Sequence, residues 1–265
     1  MTLPTIDIGL AWRAGAPGPR PLAPRFLAHL LLLSLIACGP SCGGDGGDGD
    51  IADAEGQRPV DGVCPSAEAS DPYIDCVDSF IPGDASFGHD LLPTVILGAP
   101  RGAGALGGTD VVSLGCGGEI TVYFAGEGIE DGPGDDFIVF ENPFALGDGT
   151  SFVEPALVFV SDDGERWREF PCDLDAQPPI GCAGIGLVQA GAPDHPQGSI
   201  DPQEHEAAGG DAFDLAEVGL THARWIRLVD VGELYYGHGL WCPGGAGGFD
   251  LDAIAAIHAD NADNA

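Results

Sequence analysis

Three acidic pieces of this chain have residue types and spacing suited to a hard cation. Asp250 and Asp252 stand two apart in GGFDLDAIAAI (247–257). On a strand that spacing puts both side chains on one face, roughly 6.6 Å apart along it, with Phe249, Leu251 and Ala253 turned into the core. Asp135 and Asp136 follow a Gly-Pro-Gly turn, and Glu141 and Asn142 end the apolar run after them. Asp211 and Asp214 offer a further group. Calcium takes six to eight oxygens at about 2.3–2.6 Å, largely carboxylate and carbonyl. The expected calcium ligands are therefore Asp135, Asp136, Glu141, Asp250 and Asp252. The competing reading is that these are turn residues bonding their own backbone.

A second constellation is aromatic. Tyr235, Tyr236, His238 and Trp241 fall in YYGHGLW. Such rings stack on sugars, giving a candidate ligand-binding loop, or they pack the loop against the domain edge. Catalytic signatures are missing from the sequence. There is no G-x-S-x-G elbow and no H-E-x-x-H helix, and the absence of lysine rules out a phosphate loop. His195 and His205 share an acidic loop that reads as solvated surface. Carboxylate pairs abound among 42 acids, so a secreted polysaccharide hydrolase using two of them stands as the alternative to a non-catalytic module.

The elements that must position these residues read as short strands. From about residue 94, apolar runs alternate with Gly, Pro and Asp turns. Strands are expected at 94–98, 110–114, 119–125, 136–141, 155–161, 166–170, 223–230 and 249–257. Ile120, Val122 and Phe124 alternate with Thr121 and Tyr123. The runs 136–141 and 155–161 are apolar on both faces, as central strands are. Asp163-Gly164 marks a hairpin between 155–161 and 166–170. Asp211 is expected to cap a short helix over 211–220, and 171–210 reads as a long loop with one short strand near 184–189. The expectation is an all-β fold, a two-sheet antiparallel sandwich of jelly-roll type with at most one or two short helical turns.

The N-terminus reads as an export signal. Arg13, Arg20 and Arg25 precede the apolar run FLAHLLLLSLIA (26–37), which is too short to span a bilayer. The run ends Leu35-Ile36-Ala37-Cys38, which resembles the lipobox of bacterial lipoproteins. That resemblance implies lipidation of Cys38 and a membrane partner through the anchor. Two or more acyl chains hold firmly, at about 0.8 kcal/mol per buried CH₂. Gly39 in place of Asp after the cysteine favours the outer membrane, by resemblance to diderm lipoproteins. Residues 1–37 are thus expected as signal peptide and 38–62 as a disordered Gly/Asp tether of roughly 25–30 Å span. One domain is expected over 63–260, with a frayed tail at 261–265.

The net charge is −33, and every basic residue is arginine. That excludes nucleic acid as a partner, since phosphates need cations to displace their counterions. Eight cysteines in an exported chain predict disulfides. The pairs expected are Cys64–Cys76, Cys172–Cys182 and Cys116–Cys242, with Cys42 left over in the tether.

Six pieces stand in order: VVSLGCGGEITVYF (111–124), DGPGDDFIVFENPF (131–144), EPALVFVSDDGERW (154–167), GGDAFDLAEVGL (209–220), ARWIRLVD (223–230) and GGFDLDAIAAI (247–257). Together they resemble a family of bacterial cell-surface proteins with a galactose-binding-like, discoidin-type jelly roll. The resemblance covers about 94–258. It implies a β-sandwich with an extracytoplasmic, non-catalytic role, and related jelly rolls often carry one structural calcium. It names no ligand, because fold and function separate readily. The function expected is a lipid-anchored module that binds or displays a glycan or a partner protein. A purely structural envelope lipoprotein is the further alternative.

Overall fold

The structure is a computed structural model. It describes residues 60–64, 71–102, 106, 108–126, 128–192, 201, 203–237 and 247–259, all within the compact unit Ala52–Ala265. The expected signal, Cys38, Cys42, His195, His238, Trp241, Cys242 and the tail lie outside the described residues. No helix among the described residues is long and apolar enough to cross a membrane.

The fold is mostly β. Its strands are β1 (Val60–Val63), β2 (Cys76–Ile81), β3 (Val112–Ser113), β4 (Glu119–Tyr123), β5 (Ile129–Glu130), β6 (Phe137–Phe140), β7 (Phe144–Ala145) and β8 (Ser151–Phe152). They continue with β9 (Ala156–Ser161), β10 (Arg168–Glu169), β11 (Asp211–Phe213), β12 (His222–Ala223), β13 (Trp225–Asp230), β14 (Asp250–Leu251) and β15 (Ala253–Ala256). Among the described residues there are two α-helices, both short: α1 (His205–Ala208) and α2 (Gly232–Tyr236).

A six-stranded sheet runs β1-β2-β4-β13-β9-β10, and a three-stranded one runs β11-β6-β15. All their pairings are antiparallel. β13 sits between β4 and β9, with Leu228 opposite both Ile120 and Val158. The inward residues of the larger sheet (Phe80, Ile120, Val122, Val158, Val160, Ile226, Leu228) share one buried cluster with Phe137, Val139, Ile254 and Ala256 of the smaller. The apolar alternation of β4 and β13 is the pattern that a strand buried on one face requires. In the three-stranded sheet β6 is central and buried along its whole length, as its unbroken FIVF run predicts.

Several expectations need correcting. The run 94–98 forms a 3₁₀ turn, Thr94–Ile96, entered from Pro93 and followed by extended Leu97. Asp211 caps no helix. It lies in β11, and Asp214 caps the 3₁₀ turn Leu215–Val218 by accepting from Ala216 N at 2.8 Å. β1 begins at Val60, inside the stretch expected as tether. Near 184–189 only isolated bridges form, at Ala183 to Ala156 and at Val188 to Gly209. Of the disulfides, Cys64–Cys76 and Cys172–Cys182 are bonded. Cys116 is disulfide-bonded too, and its expected partner Cys242 falls outside the described residues.

Candidate metal centre

Glu141 stands at the exit of β6, where the strand passes from the core toward the surface. Its carboxylate stays inside, 1% exposed. The next residue, Asn142, is fixed by paired hydrogen bonds between its side-chain amide and the Gly108 backbone. Asp250 opens β14. Its backbone N–H donates to Glu141 Oε1 at 3.2 Å, which brings the two side chains together. A third acid joins them. Glu154, just before Pro155 and β9, accepts Gly248 N–H on Oε1 at 2.6 Å. Gly248 has φ +102°, and an added Cβ would lie 2.5 Å from the Gly115 carbonyl carbon, so only glycine brings this N–H to Glu154.

Oxygens of Glu141, Glu154 and Asp250 lie within 4.8 Å of one another, and this group could hold a metal ion. Two of its oxygens are buried without a hydrogen-bond partner: Glu141 Oε2 and Asp250 Oδ1. Burial, then the carboxylates of Asp250 and Glu154, push the Glu141 carboxyl well above its ordinary range. Burial also pushes Asp250 up to about 6. A buried acceptor without a donor costs about 1–3 kcal/mol, and more when charged. A cation bound here would satisfy both orphan oxygens. All the donors are oxygen, which suits a hard ion.

The other expected ligands go elsewhere. Asp252 falls outside the group of Glu141, Glu154 and Asp250, and the strand is interrupted at it, between β14 and β15. Asp252 N–H donates to Phe140 O, and its Oδ2 accepts Arg101 N–H at 2.8 Å. Asp135 faces His205 at 3.1 Å on the surface. Asp136 belongs to a second acidic group with Asp131 and Asp214. That group too could hold a metal ion, but its one buried member, Asp136, is already engaged by the fold. Asp136 Oδ1 accepts Gly132 N–H and Oδ2 accepts Leu215 N–H, each at 2.7 Å, so it ties the Gly-Pro-Gly turn to the 3₁₀ turn. Asp211 is likewise internal: its carboxylate accepts the N–H groups of Gly184, Ile185 and Gly186 at 2.8–3.0 Å.

Glu154 was not among the expected ligands, although a signal exists. It is the lone acid in the apolar stretch FVEPALVFV (152–160). A carboxylate embedded in such a run must be buried with a partner.

Of the aromatic residues, Tyr235 and Tyr236 are described, and Tyr236 lies beside this centre. Tyr236, at the end of α2, donates its hydroxyl to Val153 O at 2.6 Å. Its ring stacks on Phe152 (5.8 Å, 6°), which stacks in turn on Phe144 (4.8 Å). Tyr235 packs edge-on against Tyr236 and its hydroxyl meets Gln177 Oε1 at 3.3 Å. Tyr235 also lines a cleft of about 350 Å³ with Thr150, Ser151, Val153, Gln177 and Ile185, and no charged side chain is among its described lining residues. Tyr236 therefore packs the domain edge, whereas Tyr235 faces the cleft. No protein-family model matches the chain, and no curated protein or solved structure matches it either.

Proposed function

We propose that the chain is an extracytoplasmic, lipid-anchored, non-catalytic β-sandwich module that is stabilised by calcium and binds or displays a ligand. The observation that carries this reading is Glu141 Oε2, a carboxylate oxygen buried without a partner and grouped with Glu154 and Asp250. Calcium accepts three carboxylates readily, and its flexible geometry tolerates ligands from three separate segments. Magnesium demands near-ideal octahedral placement and keeps several waters, which a centre this buried does not favour.

Other features support the rest of the reading. The common core shared by the larger and smaller sheets supports a sandwich. Bonded Cys64–Cys76 and Cys172–Cys182 support an oxidising compartment, in keeping with the export signal and Cys38. The hydrolase alternative needs two carboxyl groups flanking a scissile bond. Glu141 and Glu154 are buried and closed to a polymer, which favours the non-catalytic reading. The uncharged cleft beside Tyr235, with the amide of Gln177 and the hydroxyls of Thr150 and Ser151, favours a neutral glycan over a charged partner.

Calcium titrated into chelated protein should raise the melting temperature. At a free concentration of about 100 times Kd the gain is about 2.7 kcal/mol, or roughly 5–11 °C for a domain of this size. An unchanged melting temperature at millimolar calcium would remove the cation from the account.

A further inference from the structure

Glu141 and Glu154 are the two ends of one excursion of the chain. Glu141 leads through Asn142-Pro143 into β7, and β8 leads through Val153 back to Glu154. Between them lies the β7–β8 hairpin, paired only at Phe144 with Phe152 and at Ala145 with Ser151. Its tip is closed by Leu146 N–H to Thr150 O at 2.9 Å and by the Asp148 carboxylate, which accepts from Thr150 N–H and Oγ1. β7 is exposed throughout and β8 nearly so. A two-stranded ribbon this short has little stability of its own. Contacts that tie it down include the Phe144–Phe152–Tyr236 stack and the Tyr236 hydroxyl on Val153 O, and Glu141 and Glu154 stand at its base.

Those acids repel one another without a counter-charge. When they are ionised, holding oxygens of Glu141, Glu154 and Asp250 within 4.8 Å of one another works to push the two feet of the hairpin apart. A cation shared by Glu141 and Glu154 reverses that force, and Asp250 anchors the pair to β14. We infer that the cation at this centre is a clamp: it fixes the β7–β8 hairpin, and with it the part of the cleft lining formed by Thr150, Ser151 and Val153. The inference rests on the calcium reading above and adds a consequence to it: the shape of the cleft depends on the ion.

The test is amide hydrogen exchange of the full mature chain, in calcium and in chelator at neutral pH. If the hairpin opens only after releasing the ion, its amides slow by the factor 1 + [Ca²⁺]/Kd, about a hundredfold at 100 times Kd. The Leu146 and Phe152 region should show this, with slowing proportional to free calcium. Glu154→Gln, which removes one foot, should abolish the dependence in the hairpin while Glu141 and Asp250 still bind calcium weakly. A rise in melting temperature with no change in hairpin exchange would overturn the clamp and leave the calcium centre standing. No rise in melting temperature and no change in exchange would overturn both.

Discussion

Replacing Glu141 by glutamine should stabilise the calcium-free protein and destabilise the calcium-loaded one. In chelator at pH 7 the wild-type centre holds buried acids with orphan oxygens at Glu141 and Asp250. A glutamine keeps Oε1 for the Asp250 N–H and places an amide N–H₂ where Oε2 stands, donating to its neighbours. The expected gain is about 1–2 kcal/mol. In calcium the same change removes a charged ligand from the ion. Most of the calcium increment of about 2.7 kcal/mol at 100 times Kd is then lost. Paired denaturant titrations of both proteins, with and without calcium, read the inversion directly. A loss of the same size in both conditions would make Glu141 an ordinary buried acid.

The pH dependence follows with a defined sign. Burial, with Asp250 and Glu154 nearby, raises the folded-state pKa of Glu141 above its unfolded value. Above the unfolded value the folded state therefore binds more protons. Stability of the chelated protein must fall as pH rises through that interval and recover as pH is lowered. Calcium competes with the proton, so the loaded protein should show the opposite trend, losing stability as acid displaces the ion.

The second large effect is expected at Asp211. Its side chain gathers three backbone N–H groups of the loop 184–186. That loop abuts the centre, since a Cβ on Gly184 would lie 2.2 Å from Glu154 O. Asp211→Ala strands three partly buried donors at about 1–3 kcal/mol each before the loop relaxes, so a loss on the order of 4 kcal/mol is expected at pH 5. Burial pushes the Asp211 carboxyl up to about 6, above an ordinary 3.8. The folded wild type thus binds the extra proton between those values, and its advantage over the variant shrinks as pH rises toward 7. At about 1.36 kcal/mol per pKa unit the full reduction across the titration approaches 3 kcal/mol, of which a little under half falls between pH 5 and 7. Chemical denaturation of both proteins between pH 4 and 7 checks the size and the slope. A variant within about 0.5 kcal/mol of wild type at pH 5 would show that the loop does not need its acceptor.

Strands with an unbroken pattern were legible in the sequence. β4, β6, β9 and β13 all fall within expected runs, because alternation or continuous apolarity is what each environment demands. β2 was not legible. Its run CVDSFI carries a register shift between Val77 and Ser79, and a bulge inserts a residue that breaks the period-two signal. The run 94–98 reads as a strand by composition, yet it follows Pro93, ends in Gly98 and finds no partner in the sheets.

The site was legible in part. Glu141 and Asp250 were named from the sequence and meet in space. The spacing of Asp250 and Asp252 puts them on one face only if the strand is continuous, and it is interrupted at Asp252. Asp136 was equally plausible by sequence, and only the hydrogen bonds from Gly132 and Leu215 show that its oxygens are already engaged. Among 42 acids, spacing alone cannot say which three the fold gathers, since Glu154 and Asp250 are brought together by tertiary contacts and not by proximity in sequence.

The most direct test of the central claim is diffraction from crystals grown in calcium, recorded at a long wavelength where calcium scatters anomalously. The account predicts one strong peak about 2.3–2.6 Å from Glu141 Oε2, shared with Glu154 and Asp250. A crystal saturated with calcium and showing no peak there, or showing one only among Asp131, Asp136 and Asp214, would contradict it.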